Sequence, residues 1–155
     1  AENLPVKVAL SLSDPFCVER HHQDFNELIR SRVDLLFCNQ EEALTMMETK
    51  VTQEALAGLS ENIETVVMTL GNRGSLICNQ GQIYYIDPIE VEVVDTTGAG
   101  DAYAAGFLYG FSHDQSIMNC GRIASVMAGT VIEQIGPRIE TASMKTLKER
   151  LSNIP

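Results

Sequence analysis

The first half of the chain alternates continuous apolar runs with stretches whose apolar residues recur at helical spacing. Continuous runs are typical of strands buried on both faces, so they predict three parallel strands, at residues 6–12, 33–38 and 64–70. The helical spacing predicts three helices between these strands, at residues 24–30, 40–48 and 51–59. This alternation predicts an α/β fold in which helices cover a largely parallel sheet.

The second half has a different pattern, which begins with a tight turn at residues 71–74. Two short apolar runs separated by a polar turn predict a β-hairpin over residues 75–86. Alternating apolar and acidic residues predict a further strand over 89–94, near an edge of the sheet. A glycine-rich loop follows at 95–100, and three helices are predicted after it, at residues 101–111, 116–134 and 142–151. A sheet with so few strands leaves a parallel edge uncovered, which indicates either a fragment or a tight homodimer.

The composition favours a folded domain of acidic character. With 155 residues, of which 45% are hydrophobic and 21% charged, the chain suits about one packed domain. Its 11 basic and 21 acidic residues give a formal net charge of −10. Such a surface repels phosphate backbones, so nucleic-acid binding is not expected. Any nucleotide site must therefore use local backbone dipoles, a helix N-terminus and metal ions.

The cysteines are widely spaced and form no C-x-x-C pair: Cys17, Cys38, Cys78 and Cys120. Three of them lie in or beside apolar runs, so we expect reduced thiols in or near the core of a cytoplasmic protein. No stretch approaches the roughly 18 apolar residues of a membrane span, so no membrane partner is expected.

The segment over residues 94–106 carries the most chemical information. The small residues Gly98, Ala99 and Gly100 let the backbone turn sharply and expose its N–H groups just before a helix. Unpaired donors and the positive end of the helix dipole then point into one loop, which is an anion site without side-chain charge. Asp101 stands at the mouth of that site, and small residues follow it along the helix.

Two interpretations of Asp101 are open at this point. An aspartate at the start of a helix can simply cap it, by accepting a hydrogen bond from a backbone N–H group. Next to an anion site, a carboxylate also suits phosphoryl transfer, because the donors stabilise the transferring group while the carboxylate orients and deprotonates a hydroxyl.

Residues 95–101, Asp-Thr-Thr-Gly-Ala-Gly-Asp, with the Ala- and Gly-rich helix after them, resemble the second signature of the ribokinase-like (PfkB-type) carbohydrate kinases. The resemblance implies a three-layer α/β/α fold with a Rossmann-like sheet. It also implies that Asp101 is the catalytic base and that Gly98, Ala99 and Gly100 form the anion hole for the γ-phosphate of ATP. Asp95, with the backbone of Thr97, would help to hold a monovalent cation such as K⁺, although Asp95 also suits a turn at a strand end.

Two further segments resemble motifs of the same family, in the expected order along the chain. Residues 39–42 resemble its N-x-x-E motif, which implies that Glu42 organises Mg²⁺ and that Asn39 lies at the nucleotide side. The same two residues would form a capping box at a helix start. Residues 69–75 resemble a T-x-G-x-x-G loop that approaches ATP, and this loop also suits a plain turn. Its candidates, with the adenine-pocket candidates chosen by position in a later helix, are Thr69, Gly71, Gly74, Ser125 and Gly129.

Whole members of this family are about twice as long as the chain. The resemblance therefore implies that residues 1–155 form a single nucleotide-binding, carboxy-terminal portion, without the half that supplies the lid and most substrate contacts. Residues 10–17, followed by His21, resemble the bacterial adenosine-kinase-like branch. We expect an ATP-dependent kinase acting on a hydroxyl of a sugar or nucleoside, with an adenosine-like acceptor favoured. The alternative is a catalytically inactive nucleotide-binding module or fragment of the same fold.

Patterns for two other nucleotide-binding classes are missing from the sequence. A dinucleotide-dependent oxidoreductase would need G-x-G-x-x-G after an early strand, where residues 13–16 read Ser-Asp-Pro-Phe instead. A P-loop enzyme would need G-x-x-x-x-G-K-[ST], which does not occur.

Overall fold

The computed structural model describes residues 6–155, which fold into two compact units. The first unit holds residues 6–70 together with 76–83. The second unit holds residues 71–75 together with 84–155. All of the predicted site residues after residue 70 therefore belong to the second unit.

Five strands form one mostly parallel sheet, in the order in which they follow one another along the chain. They are β1 (Ala9–Ser11), β2 (Leu35–Asn39), β3 (Thr65–Thr69), β4 (Ser75–Asn79) and β5 (Gln82–Ile86). β1 pairs with β2, and β2 with β3, in parallel register. A two-residue turn joins β4 to β5, and its residues Gln80 and Gly81 both have positive φ, 48° and 80°, as favoured hairpin turns require. The predicted parallel strands and hairpin are confirmed.

The first unit packs four helices around its strands: α1 (Pro15–Arg20), α2 (His22–Ser31), α3 (Gln40–Met46) and α4 (Thr52–Ser60). The middle residues of β2 and β3 are buried without exception, because helices cover parallel strands on both faces. Leu36 and Val66, for example, are 0% exposed and lie in one apolar cluster with Val18 and Leu56.

The second unit contains α5 (Ala99–Ser112), α6 (Ile117–Ile132) and α7 (Met144–Ser152). α5 and α6 approach each other closely at Gly106, where a Cβ would lie only 2.8 Å from the Cα of Ala124. The small residues predicted to allow close packing of this helix thus serve contact with α6. No helix among residues 6–155 is long and apolar enough to cross a membrane.

The free thiols lie where the sequence places them. Cys38, Cys78 and Cys120 are buried, and Cys17 is partly buried. Burial raises the pKa of the Cys120 thiol, since the thiolate loses hydration there. These cysteines therefore behave as small apolar residues of the core.

The structure contains one helix, α1, that the sequence pattern does not predict, because Ser-Asp-Pro is typical of a strand break. The starts of the other helices lie within two residues of the predicted positions. In the structure Asp14 caps α1 by accepting a hydrogen bond from the N–H of Cys17 at 2.8 Å, and Pro15 takes the first helical position, which needs no N–H donor. α5 begins at Ala99, two residues before the predicted start at Asp101.

The predicted strand over residues 89–94 is wrong, since the segment has no strand structure. The side chain of Ile89 lies against α6, where a Cβ on Gly129 would be 2.3 Å from its Cδ1. The N–H of Val94 donates to the carbonyl of Ile132 at 2.8 Å. The end of α6, not a neighbouring strand, therefore holds this backbone, a contact that alternation alone does not predict.

We expect Gly106→Ala to lower the free energy of unfolding by about 1–3 kcal/mol. The new methyl group would lie 2.8 Å from the Cα of Ala124 and 2.9 Å from the Cγ of Met127, and the better helix propensity of alanine, about 1 kcal/mol, offsets only part of that cost. Chemical denaturation measures the change. The control Ala105→Ser, on the exposed side of α5, should cost about 0.5 kcal/mol or less. Unchanged or higher stability of Gly106→Ala would contradict the close helix contact.

Candidate functional site

The loop before α5 turns at Gly98. This residue takes the N-cap position of α5, where no side chain accepts a hydrogen bond from the helix. Gly98 has a φ of 79°, a left-handed conformation that residues with a Cβ rarely adopt. A Cβ here would also lie 2.5 Å from the Cβ of Pro137. Both the backbone conformation and the approach of Pro137 therefore require glycine at this position.

The first turn of α5 leaves two backbone donors open. The N–H of Ala99 donates to the carbonyl of Thr96 at 3.1 Å, and the N–H of Ala102 donates to Gly98 at 2.9 Å. Within residues 6–155, no hydrogen bond engages the N–H groups of Gly100 and Asp101, as expected for the second and third residues of a helix. A Cβ on Gly100 would meet nothing within 4 Å. An anion can thus reach these two amides, whereas the amide of Ala99 is already used by the turn.

Asp101 is the third residue of α5, and its side chain is exposed. Its carboxylate has no hydrogen-bond or ion-pair partner in the described part of the chain, so it does not cap the helix. The capping interpretation is therefore wrong, since Gly98 takes the capping position. What the structure presents is an accessible carboxylate beside two open amides, at the end of the helix where the dipole favours negative charge.

Asp95 holds the loop before α5 through both of its carboxylate oxygens. Its Oδ1 accepts a hydrogen bond from the N–H of Thr97 at 2.9 Å, and its Oδ2 accepts one from the N–H of Gly136 at 2.9 Å. Hydrogen bonds from the Thr97 side chain, and then from the amides of Thr97 and Gly136, hold the pKa of Asp95 below its usual value. The carboxylate is therefore anionic and joins the loop to the segment after α6.

Asn39 and Glu42 form a capping box at the start of α3, in the first unit. The Asn39 side chain accepts from the N–H of Glu42 at 2.8 Å, while its backbone N–H and its amide donate to the two Glu42 oxygens at 2.9 and 2.6 Å. Glu42 is only 5% exposed. Burial raises the pKa of this carboxyl, against the lowering effect of its hydrogen bond with the Asn39 backbone. The structural role suggested by the spacing is thus present.

The predicted nucleotide loop begins and ends with a glycine in the left-handed conformation. Gly71 has a φ of 63° and Gly74 has a φ of 82°. A Cβ on Gly74 would lie 2.0 Å from the carbonyl oxygen of Ile86, whereas one on Gly71 would meet nothing within 4 Å. Gly74 is therefore required by its own packing, while Gly71 leaves open space in front of the turn. Thr69, the last residue of β3, is half-buried.

Ser125 and Gly129 lie on the packed side of α6. The Ser125 hydroxyl donates to the carbonyl of Asp87 at 3.2 Å, and Gly129 lies under Ile89. Both residues hold the segment that follows β5, so each has a packing role.

Two contacts of this region are missing from the sequence predictions. Gly136 donates its N–H to Asp95 from a position 41 residues further along the chain. The hydroxyls of Ser75 and Tyr103 share a buried hydrogen bond of 2.5 Å. Neither Ser75 nor Tyr103 stands out by pattern, because a serine that opens a strand and an aromatic residue in a helix are both common.

A profile of the pfkB family carbohydrate kinases matches residues 2–143 of the chain. The chain is 39% identical to an adenosine kinase of Sinorhizobium meliloti in a structural alignment with a TM-score of 0.89, which covers 94% of this chain and 45% of that one. It is 32% identical over 120 residues to an uncharacterized sugar kinase of Archaeoglobus fulgidus, covering 77% of this chain and 48% of that protein.

A second similar structure is the Arabidopsis thaliana ribokinase complexed with ribose and ATP. It is 25% identical with a TM-score of 0.76, and the alignment covers 95% of this chain and 48% of the ribokinase. The chain thus spans about half the length of the relatives that it matches.

We expect Asp95→Ala to speed hydrogen exchange at the amides of Thr97 and Gly136, because both lose their acceptor. Amide exchange followed by NMR measures this, and Glu90→Ala, an exposed acid nearby in the chain, is the control. Since the folded pKa of Asp95 is lowered, its stabilising effect is present above the unfolded pKa and is lost as pH falls through the folded value. Unchanged exchange in Asp95→Ala would rule out this anchoring role.

Proposed function

The chain belongs to the pfkB family of carbohydrate kinases, and we propose that its protein moves the γ-phosphate of ATP to a hydroxyl group of a sugar or nucleoside. The observation that carries this proposal is the start of α5. There the exposed carboxylate of Asp101, which has no partner among residues 6–155, lies beside the open N–H groups of Gly100 and of Asp101 itself. Acceptor activation and charge stabilisation are the two tasks that a phosphoryl-transfer site must perform.

Asp101 acts in this proposal as the general base. Its carboxylate accepts the proton of the attacking hydroxyl and orients the hydroxyl oxygen toward the phosphorus atom. The transition state of phosphoryl transfer is loose, so positioning matters more than the strength of the base. A carboxylate that makes no hydrogen bond of its own keeps its lone pairs for the substrate.

The backbone of the first turn of α5 binds the negative charge of the transferring group. Gly100 and Asp101 contribute their amides, and Gly98 contributes the left-handed turn that aims the helix end into open space. Ala99 contributes to the shape of the turn, because its N–H is used by Thr96. The site needs no lysine or arginine, in keeping with a chain whose net charge is −10.

Magnesium is the metal that we expect with ATP, and one residue suits it. Among residues 6–155 no group of three His, Cys, Asp or Glu side chains could hold a metal by itself, but Mg²⁺ commonly uses one or two carboxylates plus phosphates and waters. Both oxygens of Glu42 already accept hydrogen bonds from Asn39. Glu42 would therefore contact the water shell of the ion, and the bound ion would neutralise phosphate charge.

In this proposal Asp95, together with the backbone of Thr97, helps to bind a monovalent cation such as K⁺, and the negative charge of Asp95 attracts the ion. Each of its oxygens accepts one N–H hydrogen bond, which leaves further lone pairs for a cation. The segment around Gly136 lies beside the carboxylate, where its carbonyl groups could add ligands.

For the nucleotide we propose contacts from Asn39, Thr69, Gly71, Gly74, Ser125 and Gly129. The open space in front of Gly71 supports the approach of phosphates or ribose to this turn. An adenosine-like acceptor is favoured by the similarity to the adenosine kinase of Sinorhizobium meliloti. A sugar acceptor is the second choice, on the similarity to the ribokinase complexed with ribose and ATP.

We expect Asp101→Asn to lower kcat of the full-length protein by about 10²-fold or more, because the amide cannot take the proton of the hydroxyl. Phosphorylated product formed from Mg-ATP and a panel of nucleosides and sugars measures the change. Asp114→Asn is a matched control at the other end of α5, since it is exposed and its φ of 54° suits asparagine. Retained activity in Asp101→Asn would assign the base to another residue.

We expect residues 1–155 alone to bind nucleotide weakly and to transfer phosphate at no useful rate. The relatives are about twice as long, and without a lid neither water exclusion nor acceptor positioning is supplied. A thermal-shift titration with Mg-ATP measures binding, and a product assay with the same panel measures transfer. Turnover by this segment at the rate of the full-length protein would contradict the expectation.

A further inference from the structure

A buried hydrogen bond joins α5 to the first residue of β4, directly after the turn at residues 71–74. The hydroxyl oxygens of Ser75 and Tyr103 lie 2.5 Å apart, and the two residues are 28 positions apart along the chain. The Tyr103 hydroxyl also lies 3.5 Å from the carbonyl oxygen of Gly121 in α6, to which it donates. The Ser75 and Tyr103 side chains thus share one short hydrogen bond, and Tyr103 also contacts α6.

Ser75 and Tyr103 each adjoin a segment of the proposed site within the second unit. Ser75 follows Gly74 directly, the last glycine of the predicted nucleotide turn. Tyr103 lies two residues after Asp101, within the first turns of α5. Ser75 is 0% exposed and Tyr103 is 6% exposed, so water does not compete for this hydrogen bond.

The turn itself is held at two further points. The Tyr85 hydroxyl donates to the carbonyl of Arg73 at 2.7 Å, and Gly74 lies against the carbonyl of Ile86. Both of these contacts tie the turn to β5. Among the side-chain hydrogen bonds that Ser75 and Tyr103 make within residues 6–155, only the one that they share ties the end of the turn to the helix that carries Asp101.

We propose that Tyr103 is a positioning residue, which through Ser75 sets the distance between the nucleotide turn and the first turn of α5. This inference rests on the proposed kinase function, because it needs a base and a nucleotide that must meet. Positioning dominates phosphoryl transfer, and a displacement of about 1 Å can cost about 10²-fold in rate. Burial raises the pKa of Tyr103 to about 12, so its phenol stays neutral and takes no proton in turnover.

The test compares Ser75→Ala, Tyr103→Phe and the double variant in the full-length protein. Tyr103→Phe leaves the buried Ser75 hydroxyl without its partner and should lower the melting temperature. Ser75→Ala leaves Tyr103 only its longer hydrogen bond to Gly121 and should lower it less. Removal of both hydroxyls leaves neither unsatisfied and should restore it. A positioning role makes a different prediction for turnover. We expect kcat of the double variant to stay about tenfold below the parent, with the KM of the acceptor unchanged within about twofold.

The pH dependence of kcat gives a second readout. The double variant should keep the shape of the parent profile at a lower plateau, because the base is unchanged and only its placement differs. Tyr109→Phe is the matched control: Tyr109 lies on the same helix, is 58% exposed, and its ring packs on His113. It should leave both kcat and the melting temperature unchanged.

The possible results distinguish failure of the positioning role from failure of the proposed kinase function. If the double variant recovers both stability and kcat, the hydrogen bond is only structural and the inference is overturned, while the kinase function stands. A changed pH profile would make Tyr103 part of the proton chemistry and would also overturn it. If the parent protein phosphorylates no acceptor in the panel, the proposed function fails first and the inference with it.

Discussion

The chemistry proposed for this protein depends on one backbone constraint, the left-handed turn at Gly98. With a φ of 79° and with Pro137 at contact distance from the place of a Cβ, no other residue fits here without strain. This turn starts α5 at Ala99, so that Gly100 and Asp101 become its second and third residues. Their amides then have no carbonyl within the helix to bond, and the side-chain carboxylate of Asp101 is left exposed.

Asp95 stabilises the loop that contains this turn. It uses one oxygen for Thr97, within the loop, and the other for Gly136, after α6. The N–H groups of Val94 and Asp95 add hydrogen bonds to the carbonyl of Ile132. A loop that carries open donors is thus fastened at its base by charge and by backbone hydrogen bonds, which is the preorganisation that electrostatic catalysis requires.

The acidic residues of the proposed site differ in whether their carboxylates already accept hydrogen bonds. Glu42 is buried with both oxygens bonded to Asn39, and Asp95 is bonded through both oxygens to amides. Asp101 alone among these three has no partner within residues 6–155. A satisfied carboxylate holds structure or contacts an ion through water, whereas an unsatisfied and accessible one is available to a reacting hydroxyl. The different roles that we propose for these three acidic residues follow this difference in bonding.

The sequence alone was enough to predict the α/β class, the hairpin and a sharp turn before the helix that carries Asp101, because apolar periodicity and glycine placement act over a few residues. It could not decide whether Asp101 caps that helix, nor exclude a strand over residues 89–94. Those outcomes depend on partners far along the chain: Pro137 against Gly98, and α6 against the segment after β5. The same holds for Ser75 and Tyr103, whose hydroxyls meet only when the turn and α5 pack together. Contacts of this kind follow from three-dimensional packing, and no local pattern encodes them.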